Sequence, residues 1–265
     1  MSNNIFAQRC RGKSCQNCSA RTNGFCGALD AEALAEFSGQ CFCAGYERDA
    51  EIVRQGEPSG KVGVIAKGLV KIVMFTEDGE EHMLQILRQS QLVGMPCSMQ
   101  SSFAWEAATR AEICWMPRST WDDFLRAHPE HFEAYVKTML HQMEELQCAV
   151  ANSRGRNTRQ RVAHWLLEQV PEDAAPDRPI VDIPLKRRDL AALLDMTAET
   201  LCRSLHALAG KGAIDILMPY QIEITDLAKL RTLAKSPHND KFVPLSAETP
   251  LLATEAPRQR QARYS

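Results

Sequence analysis

The chain has 265 residues, enough for two modest domains, and its hydrophobic fraction of 45% and charged fraction of 24% are ordinary for a globular protein. No apolar run approaches the roughly 20 residues of a membrane span, and the N-terminus has no apolar signal segment, so we expect a cytoplasmic protein without a membrane partner. The net charge of −2 does not by itself suggest a nucleic-acid partner.

Cysteines are concentrated near the N-terminus. Cys15, Cys18 and Cys26 form the pattern C-x2-C-x7-C, and Cys10 lies just upstream. Few apolar residues separate them, so core packing does not explain the cluster, and structural disulfides are not expected in a reducing compartment. Thiolates are soft ligands, and a tight pair with a third cysteine a short loop away suits one metal ion or one iron–sulfur cluster. The pattern therefore predicts a metal or cluster site.

The next part of the chain is predicted to be rich in β-strands. Residues 29–39 have apolar side chains at helical spacing and predict a short packing helix. From about residue 41 to 117, short β-branched runs alternate with turn signals. Asp78-Gly79, between two alternating runs, predicts a β-hairpin. Many short strands at close spacing indicate a sandwich or a small barrel.

Helical periodicity returns near Ser119, and Pro129 suits the start of a long helix. Apolar residues then recur at steps of four and three over three heptads. This narrow seam favours a coiled coil between two chains, and a helix packed on its own domain is the alternative. The seam consists of Phe132, Val136, Met139, Met143, Leu146 and Val150.

The C-terminal part combines helices with short strands. Two helices joined by a tight turn and followed by a hairpin are typical of a winged helix-turn-helix. Residues 236–265 are rich in Pro, Ser, Thr and charge, and predict a disordered tail. The predicted elements are a helix over 159–169, a strand over 180–183, helices over 186–194 and 198–210, strands over 214–218 and 222–224, and a last helix over 226–235.

The second helix of this motif is the candidate for reading DNA bases. Its N-terminal residues Glu199, Cys202 and Arg203 would face the major groove, where an arginine can bind guanine and a glutamate can bind cytosine. The alternative is a solvated Glu–Arg pair on the helix surface. The candidates for phosphate contacts are Arg154, Arg156, Lys186, Arg187 and Arg188.

The chain resembles the CRP/FNR family of bacterial transcription regulators up to about residue 235. The resemblance rests on Gln55-Gly56-Glu57, residues 66–72 and 77–82, and the recognition motif over 194–203. It implies an α+β fold with a jelly-roll (double-stranded β-helix) effector domain, a long dimerisation helix and a C-terminal winged helix-turn-helix. The implied segments are a cluster-binding arm (1–28), a sensor domain (29–127), a dimerisation helix (128–155), a DNA-binding domain (156–235) and a tail (236–265).

The N-terminal cysteines resemble the oxygen-sensing fumarate–nitrate reduction branch of that family, in particular the FnrL/FnrN-like type. This resemblance implies an oxygen-labile [4Fe-4S] cluster bound by Cys15, Cys18, Cys26 and a fourth cysteine. Cys114 matches the position of the distal ligand, and Cys97 is the alternative. The expected protein is a homodimer that binds two-fold DNA operators, contacts RNA polymerase through the hairpin near Asp78 and controls anaerobic or microaerobic genes.

Three departures from the family pattern matter. Cys202 replaces the usual serine of Glu-x-x-Ser-Arg, which leaves the outer base preference open. Leu146 stands where well-studied members hold a carboxylate that opposes dimerisation, so we expect dimerisation to depend less on the cluster. Residues 93–103 contain no arginine, and a buried phosphate without a cation would be costly, so we expect no cyclic nucleotide.

Two other functions are alternatives for this chain. A zinc-stapled or thiol-redox regulator of the same fold would use the same cysteines. A jelly-roll metalloenzyme would need two histidines and a carboxylate that converge, but the β-region offers only His82. We therefore expect no catalytic residues and no enzyme activity.

Overall fold

Two antiparallel sheets form the β-domain of the computed structural model, which describes residues 4–9 (backbone only), 15, 18–58, 60–94, 100–170 and 178–235. One sheet has the strand order β1-β2-β9-β4-β7 and the other β3-β8-β5-β6. The strands are β1 (Asn4–Arg9), β2 (Phe42–Tyr46), β3 (Glu51–Val53), β4 (Lys61–Lys67), β5 (Val70–Phe75), β6 (Glu81–Leu87), β7 (Leu92–Val93), β8 (Ala104–Ala107) and β9 (Ala111–Pro117).

The core between the two sheets explains why they pack together. Buried residues from both sheets form one apolar cluster, and the indole Nε1 of Trp115 donates a 3.0 Å hydrogen bond to the hydroxyl of Tyr46 within it. The predicted hairpin is confirmed: β5 and β6 pair through a turn in which Gly79 has a φ of 82°, a conformation that suits glycine. The α+β jelly-roll prediction is confirmed.

Four of the described helices flank the β-domain and pack around a second core, to which the first three contribute buried residues. Phe25 on α1 lies 4.8 Å from Trp121 on α3, and Phe37 on α2 lies 5.3 Å from Phe124, measured between ring centroids. This aromatic packing fixes α1, which carries Cys26, against the five-stranded sheet. The helices are α1 (Gly24–Ala28), α2 (Ala31–Gln40), α3 (Arg118–Ala127) and α4 (Phe132–Gly155).

The C-terminal domain has the predicted winged helix-turn-helix elements. Asn157 begins α5 with a reciprocal capping box to Gln160, and Thr197 caps α7. The last three strands form one small sheet. The elements are α5 (Thr158–Glu168), β10 (Ile180–Asp182), α6 (Arg187–Leu193), α7 (Ala198–Gly210), β11 (Asp215–Met218), β12 (Gln221–Glu223) and α8 (Leu227–Ala234).

Some predictions fall outside this description. The proposed tail over 236–265 and the alternative ligand Cys97 lie outside the described residues. The five segment boundaries stay predictions. The sequence analysis did not identify β1, which pairs with β2 as an edge strand, or the short helix α1. No described helix is both long and apolar enough to cross a membrane.

A buried lysine joins the β-domain to the C-terminal domain. Lys71 on β5 is 1% exposed, and its Nζ lies 2.8 Å from Glu106 and 3.2 Å from Glu81. Asp189 of α6, also 1% exposed, lies 3.8 Å from the same nitrogen. Burial lowers the pKa of Lys71, but Glu106, Asp189 and Glu81 outweigh burial and hold this pKa above its usual value. The charge is therefore kept, and it ties the two domains together.

Replacing Lys71 should destabilise the protein strongly. Lys71→Ala would remove the buried cation that Glu106 and Asp189 share, and we expect it to lower the free energy of unfolding by about 3–5 kcal/mol. Urea denaturation followed by tryptophan fluorescence measures this. The matched control is Lys67→Ala, because Lys67 forms an exposed ion pair with Glu112 that should contribute about 0–1 kcal/mol. Equal effects of the two substitutions would contradict the role given to Lys71.

Candidate cysteine site and DNA-binding surface

Four cysteines that the sequence singled out line one cavity: Cys15, Cys18, Cys26 and Cys114. Cys18 immediately precedes a 3-10 turn, and its backbone N–H donates to the carbonyl of Cys15 at 3.3 Å. Cys26 is placed by α1, and Cys114 by β9, where it pairs with Val64 of β4. Residues far apart in sequence therefore line the same cavity.

The walls of this cavity are apolar. Leu34 and Phe37 of α2 and Val64 of β4 line it, together with the cysteines and Arg21. The enclosed volume is about 20 Å³. Arg21 is the one basic residue among the described residues that line the cavity, so it can offset the charge of thiolates there. Such an apolar, thiol-lined space favours soft metal chemistry over small-molecule binding.

Burial and the neighbouring thiols hold the pKa values of Cys26 and Cys114 above their usual range, so these two thiols stay protonated in the absence of a metal cation. Burial raises the pKa of Cys26, and Cys114, Cys18 and Cys15 raise it further, whereas Arg21 lowers it. Burial, with Cys18 and Cys15 next, raises the pKa of Cys114 to about 12. Thiols that oppose one another's ionisation become thiolates when a metal cation supplies the compensating charge.

A fifth cysteine lines the same cavity. Cys41 is buried at the start of β2, and burial followed by the neighbouring Cys114 raises its pKa. One pair further along β2, Cys43 lies opposite Cys114, with the two Sγ atoms 3.2 Å apart. Neither Cys41 nor Cys43 is among the ligands that the sequence predicts. Only the strand register reveals their place beside Cys114, because their sequence spacing carries no such signal.

The N-terminal turn of α7 presents the predicted base-reading residues. Leu201, Leu205 and Leu208 are buried on one face, which leaves the opposite face to solvent. On that face, Glu199 and Arg203 have side chains 70% and 77% exposed and bond to each other. Cys202 is exposed beside Arg203. The free helix thus holds a Glu–Arg pair at the position where a recognition helix meets base edges.

Two of the predicted phosphate contacts are held by acids of the β-domain. Lys186 forms an ion pair with Asp49, and Nη2 of Arg188 lies 3.8 Å from Glu81. These contacts reach from the C-terminal domain to the loop after β2 and to strand β6. DNA phosphates would therefore compete with these β-domain carboxylates for the two cations.

The other three cations differ in their surroundings. Arg154 is exposed at the end of α4. Arg156 donates from Nε to the carbonyl of Ala234 at 3.3 Å, so its guanidinium links α4 to the end of α8. Nη1 of Arg187 is buried and has no hydrogen-bond partner in the described part of the chain. Burial lowers the pKa of Arg187, while the nearby Cys202 and Tyr220 raise it.

Comparison with known proteins identifies the two domains. A family model described as a cyclic nucleotide-binding domain matches residues 45–128, and one described as a Crp-like helix-turn-helix domain matches residues 160–233. The transcriptional activator protein FnrL of Cereibacter sphaeroides is 23% identical over 222 residues, which cover 82% of this chain and 90% of that protein. The chain belongs to the CRP/FNR family of transcription regulators. Its helix-turn-helix binds DNA, and regulators of this family are dimers.

Two further relatives agree with this membership. A probable transcriptional activator of Rhizobium leguminosarum bv. viciae is 29% identical over 227 residues, covering 83% of this chain and 92% of that protein. The structure of FixK2 from Bradyrhizobium japonicum superposes with a TM-score of 0.65 at 21% identity, over 73% of this chain and 97% of that chain. The likeness to FixK2 shows the shared CRP/FNR fold.

The predicted dimer seam lies along α4. Most of the predicted seam is exposed on the single chain: Phe132, Met143, Leu146 and Val150 are exposed, and Val136 is half-buried. Met139 differs, because it packs against the aromatic core of its own chain. Leu140, which the heptad pattern omitted, is 53% exposed and extends the apolar stripe. Near its middle, the exposed apolar stripe therefore runs through Leu140 instead of Met139. The seam residues are Phe132, Val136, Met139, Met143, Leu146 and Val150.

Loss of Arg203 should weaken specific DNA binding. A bidentate arginine–guanine contact is worth about 1–3 kcal/mol of discrimination, so Arg203→Ala should raise the dissociation constant for an operator and relax the preference at one base pair. Fluorescence anisotropy with operators that vary at each position measures both effects. Lys211→Ala, at the far end of α7, removes the same charge and should leave the base preference intact. An unchanged preference in Arg203→Ala would contradict base reading by this residue.

Proposed function

We propose that this regulator responds to oxygen through a [4Fe-4S] cluster held by Cys15, Cys18, Cys26 and Cys114. The observation that carries the proposal is that these four cysteines, from separate parts of the chain, line one cavity. Four cysteine thiolates are the usual ligand set of such a cluster, which supplies an oxygen-sensitive redox centre when bound. The similarity to FnrL supports the same branch of the family.

Arg21 and the apolar walls suit this role. Four thiolates around a cluster carry net negative charge, and Arg21 lines the cavity where it can offset part of that charge. The aliphatic and aromatic side chains of Leu34, Phe37 and Val64 limit the access of water. The alternative occupant is a zinc ion, which takes the same thiolate ligands and would make the site a structural or thiol-redox one.

The cysteine arm is connected to the dimerisation helix through one loop. The hydroxyl of Ser90 donates a 3.0 Å hydrogen bond to the carbonyl of Ala20, which lies between Cys18 and Cys26. The adjacent Gln91 donates from Nε2 to the carboxylate of Glu145 on α4. A change in the arm therefore acts on α4 through two neighbouring residues. Because α4 runs into the C-terminal domain, such a change alters how the two recognition helices are spaced.

The same proposal covers the partners and the effector. The exposed hairpin turn at Asp78-Gly79 is the proposed contact with RNA polymerase, and anaerobic or microaerobic genes are the proposed targets. The domain model that matches residues 45–128 is named for cyclic nucleotides, so the expectation that none binds stays a prediction. It rests on the lack of arginine over residues 93–103, where a phosphate would need a cation.

Anaerobic reconstitution tests the cluster. Protein loaded with iron and sulfide should hold about four iron atoms per chain and bind its operator, and air should abolish both properties. Cys114→Ser should prevent loading because it removes one thiolate, whereas Cys148→Ser on α4 should not. Iron and sulfide analysis, visible absorption and DNA binding are measured before and after air exposure. Adding cyclic AMP to the same assay should change nothing.

The outcomes separate the rival readings. A colourless, air-insensitive zinc protein that binds DNA equally well would contradict oxygen sensing. Loss of the cluster in Cys97→Ser but not in Cys114→Ser would assign the fourth position to Cys97. Cys41→Ser is the further variant, because Cys41 lines the same cavity. Stimulation of DNA binding by cyclic AMP would contradict the expectation about the effector.

Dimerisation should depend little on the cluster, because the predicted seam has the uncharged Leu146 at the position where a carboxylate would oppose dimerisation. We expect the metal-free protein in air to remain a dimer at micromolar concentration. Leu146→Glu would place a carboxylate in the apolar seam and should weaken the dimer at least about a hundredfold. Multi-angle light scattering over a range of concentrations measures both.

The control for this substitution is Lys137→Glu, which adds a carboxylate on α4 at a position outside the seam. Lys137 is exposed and pairs with Glu133 of the same helix, so its replacement should leave the dimer intact. If the unsubstituted metal-free protein were entirely monomeric at micromolar concentration, the hypothesis would be contradicted.

A further inference from the structure

A second cluster of metal-binding side chains lies away from the cysteines, in the turn that joins α3 to α4. His128, Glu130 and His131 each offer a ligand atom, and these atoms all lie within 4.8 Å of one another. The turn is a 3-10 segment, Pro129–His131, which brings the two histidines to the same side. Two imidazole nitrogens and one carboxylate are a ligand set that suits zinc and other first-row divalent ions.

The buried histidine of this cluster has an unused ring nitrogen. His131 is 6% exposed, and its Nε2 makes no hydrogen bond to any residue that the structure describes. Asp30 Oδ2 is 3.3 Å from this nitrogen, within ion-pair distance but without hydrogen-bond geometry. Phe124 stacks against the imidazole, with the two rings 6° from parallel, and holds it in place. A buried nitrogen without a partner is costly, and a metal ion would satisfy it.

The other histidine is oriented as metal ligands usually are. His128 Nε2 lies 2.9 Å from Glu36 Oε2, so a carboxylate fixes the ring from one side. His128 Nδ1, on the other side, faces Glu130 Oε1 at 3.4 Å. Metal-bound histidines commonly use one nitrogen for the ion and the other for a carboxylate. Glu36 therefore orients the ring of His128, and Nδ1 of His128 is the nitrogen that would face the ion.

We propose that His128, Glu130 and His131 form a binding site for a divalent first-row transition-metal ion, beside the carboxylate of Asp30. Glu130 and Asp30 are largely exposed, so an ion can enter from solvent. Asp30 caps the start of α2, whereas His131 immediately precedes α4. A bound ion would tie the helix after the cysteine arm to the base of the dimerisation helix, independently of any cluster.

Cobalt titration tests this site in the full-length chain. Thiols also bind cobalt, so the titration uses the Cys15→Ser/Cys18→Ser background and is monitored by absorption. Thiolate ligands give intense near-ultraviolet bands, whereas nitrogen and oxygen ligands give only weak visible bands. We expect about one equivalent of cobalt bound with the weak visible bands alone. Zinc should displace it, and should raise the thermal midpoint of the same protein.

His128→Gln is the decisive variant, because His128 is partly exposed and glutamine can keep a hydrogen bond to Glu36. It should weaken cobalt binding at least about tenfold, and His131→Gln should do the same. The matched control is His164→Gln, since His164 also lies beside a glutamate, Glu168, but far from this turn. Binding that is undiminished in His128→Gln would overturn the proposal. So would a lack of stoichiometric binding with nitrogen–oxygen spectra.

Discussion

The arrangement of the two domains depends on one buried positive charge. Lys71 is surrounded by carboxylates from both domains, and it can remain charged only while Glu106 and Asp189 stay beside it. The neighbouring apolar contact is small, since Leu69, Ile86 and Ala108 are the β-domain residues that join the C-terminal core. The contacts of the buried lysine with these carboxylates therefore set the orientation of the helix-turn-helix. Because these contacts form only when each charged group meets its partner, they favour one or a few relative positions of the two domains.

The signal proposed for the cysteine site has a short route to the dimer. Leu92 exchanges hydrogen bonds with the side chain of Gln142, next to the bond between Gln91 and Glu145. Residues 90–92, at the start of β7, thus contact α4 through Gln91 and Leu92 and the cysteine arm through Ser90. Most loops lie on the surface and are mobile, whereas this segment is hydrogen-bonded both to the cysteine arm and to α4. It is therefore suited to transmit a displacement of the cysteine arm to α4.

Local patterns predicted most elements, and tertiary register decided the rest. Asp78-Gly79, Asn157 and the leucines of α7 carry their structural reasons within a few residues of sequence. The cavity required strand pairing: only the register of β2 with β9 places Cys41 and Cys43 beside Cys114. Likewise, Met139 packs against the core of its own chain and Leu140 is exposed instead. Heptad spacing alone does not predict which of the two neighbours is exposed. The buried partnership of Lys71 with Asp189 joins residues 118 positions apart in the printed sequence.

The pairs Lys186–Asp49 and Arg188–Glu81 bear on how binding responds to salt. A cation that contacts a DNA phosphate frees a condensed counterion, and the number freed sets how steeply affinity falls as ionic strength rises. A lysine that exchanges a protein carboxylate for a phosphate gives up one ion pair as it gains another. The freed carboxylate then collects cations of its own. The salt dependence of DNA affinity therefore reports how many of these ion pairs between the β-domain and the DNA-binding domain are broken on binding.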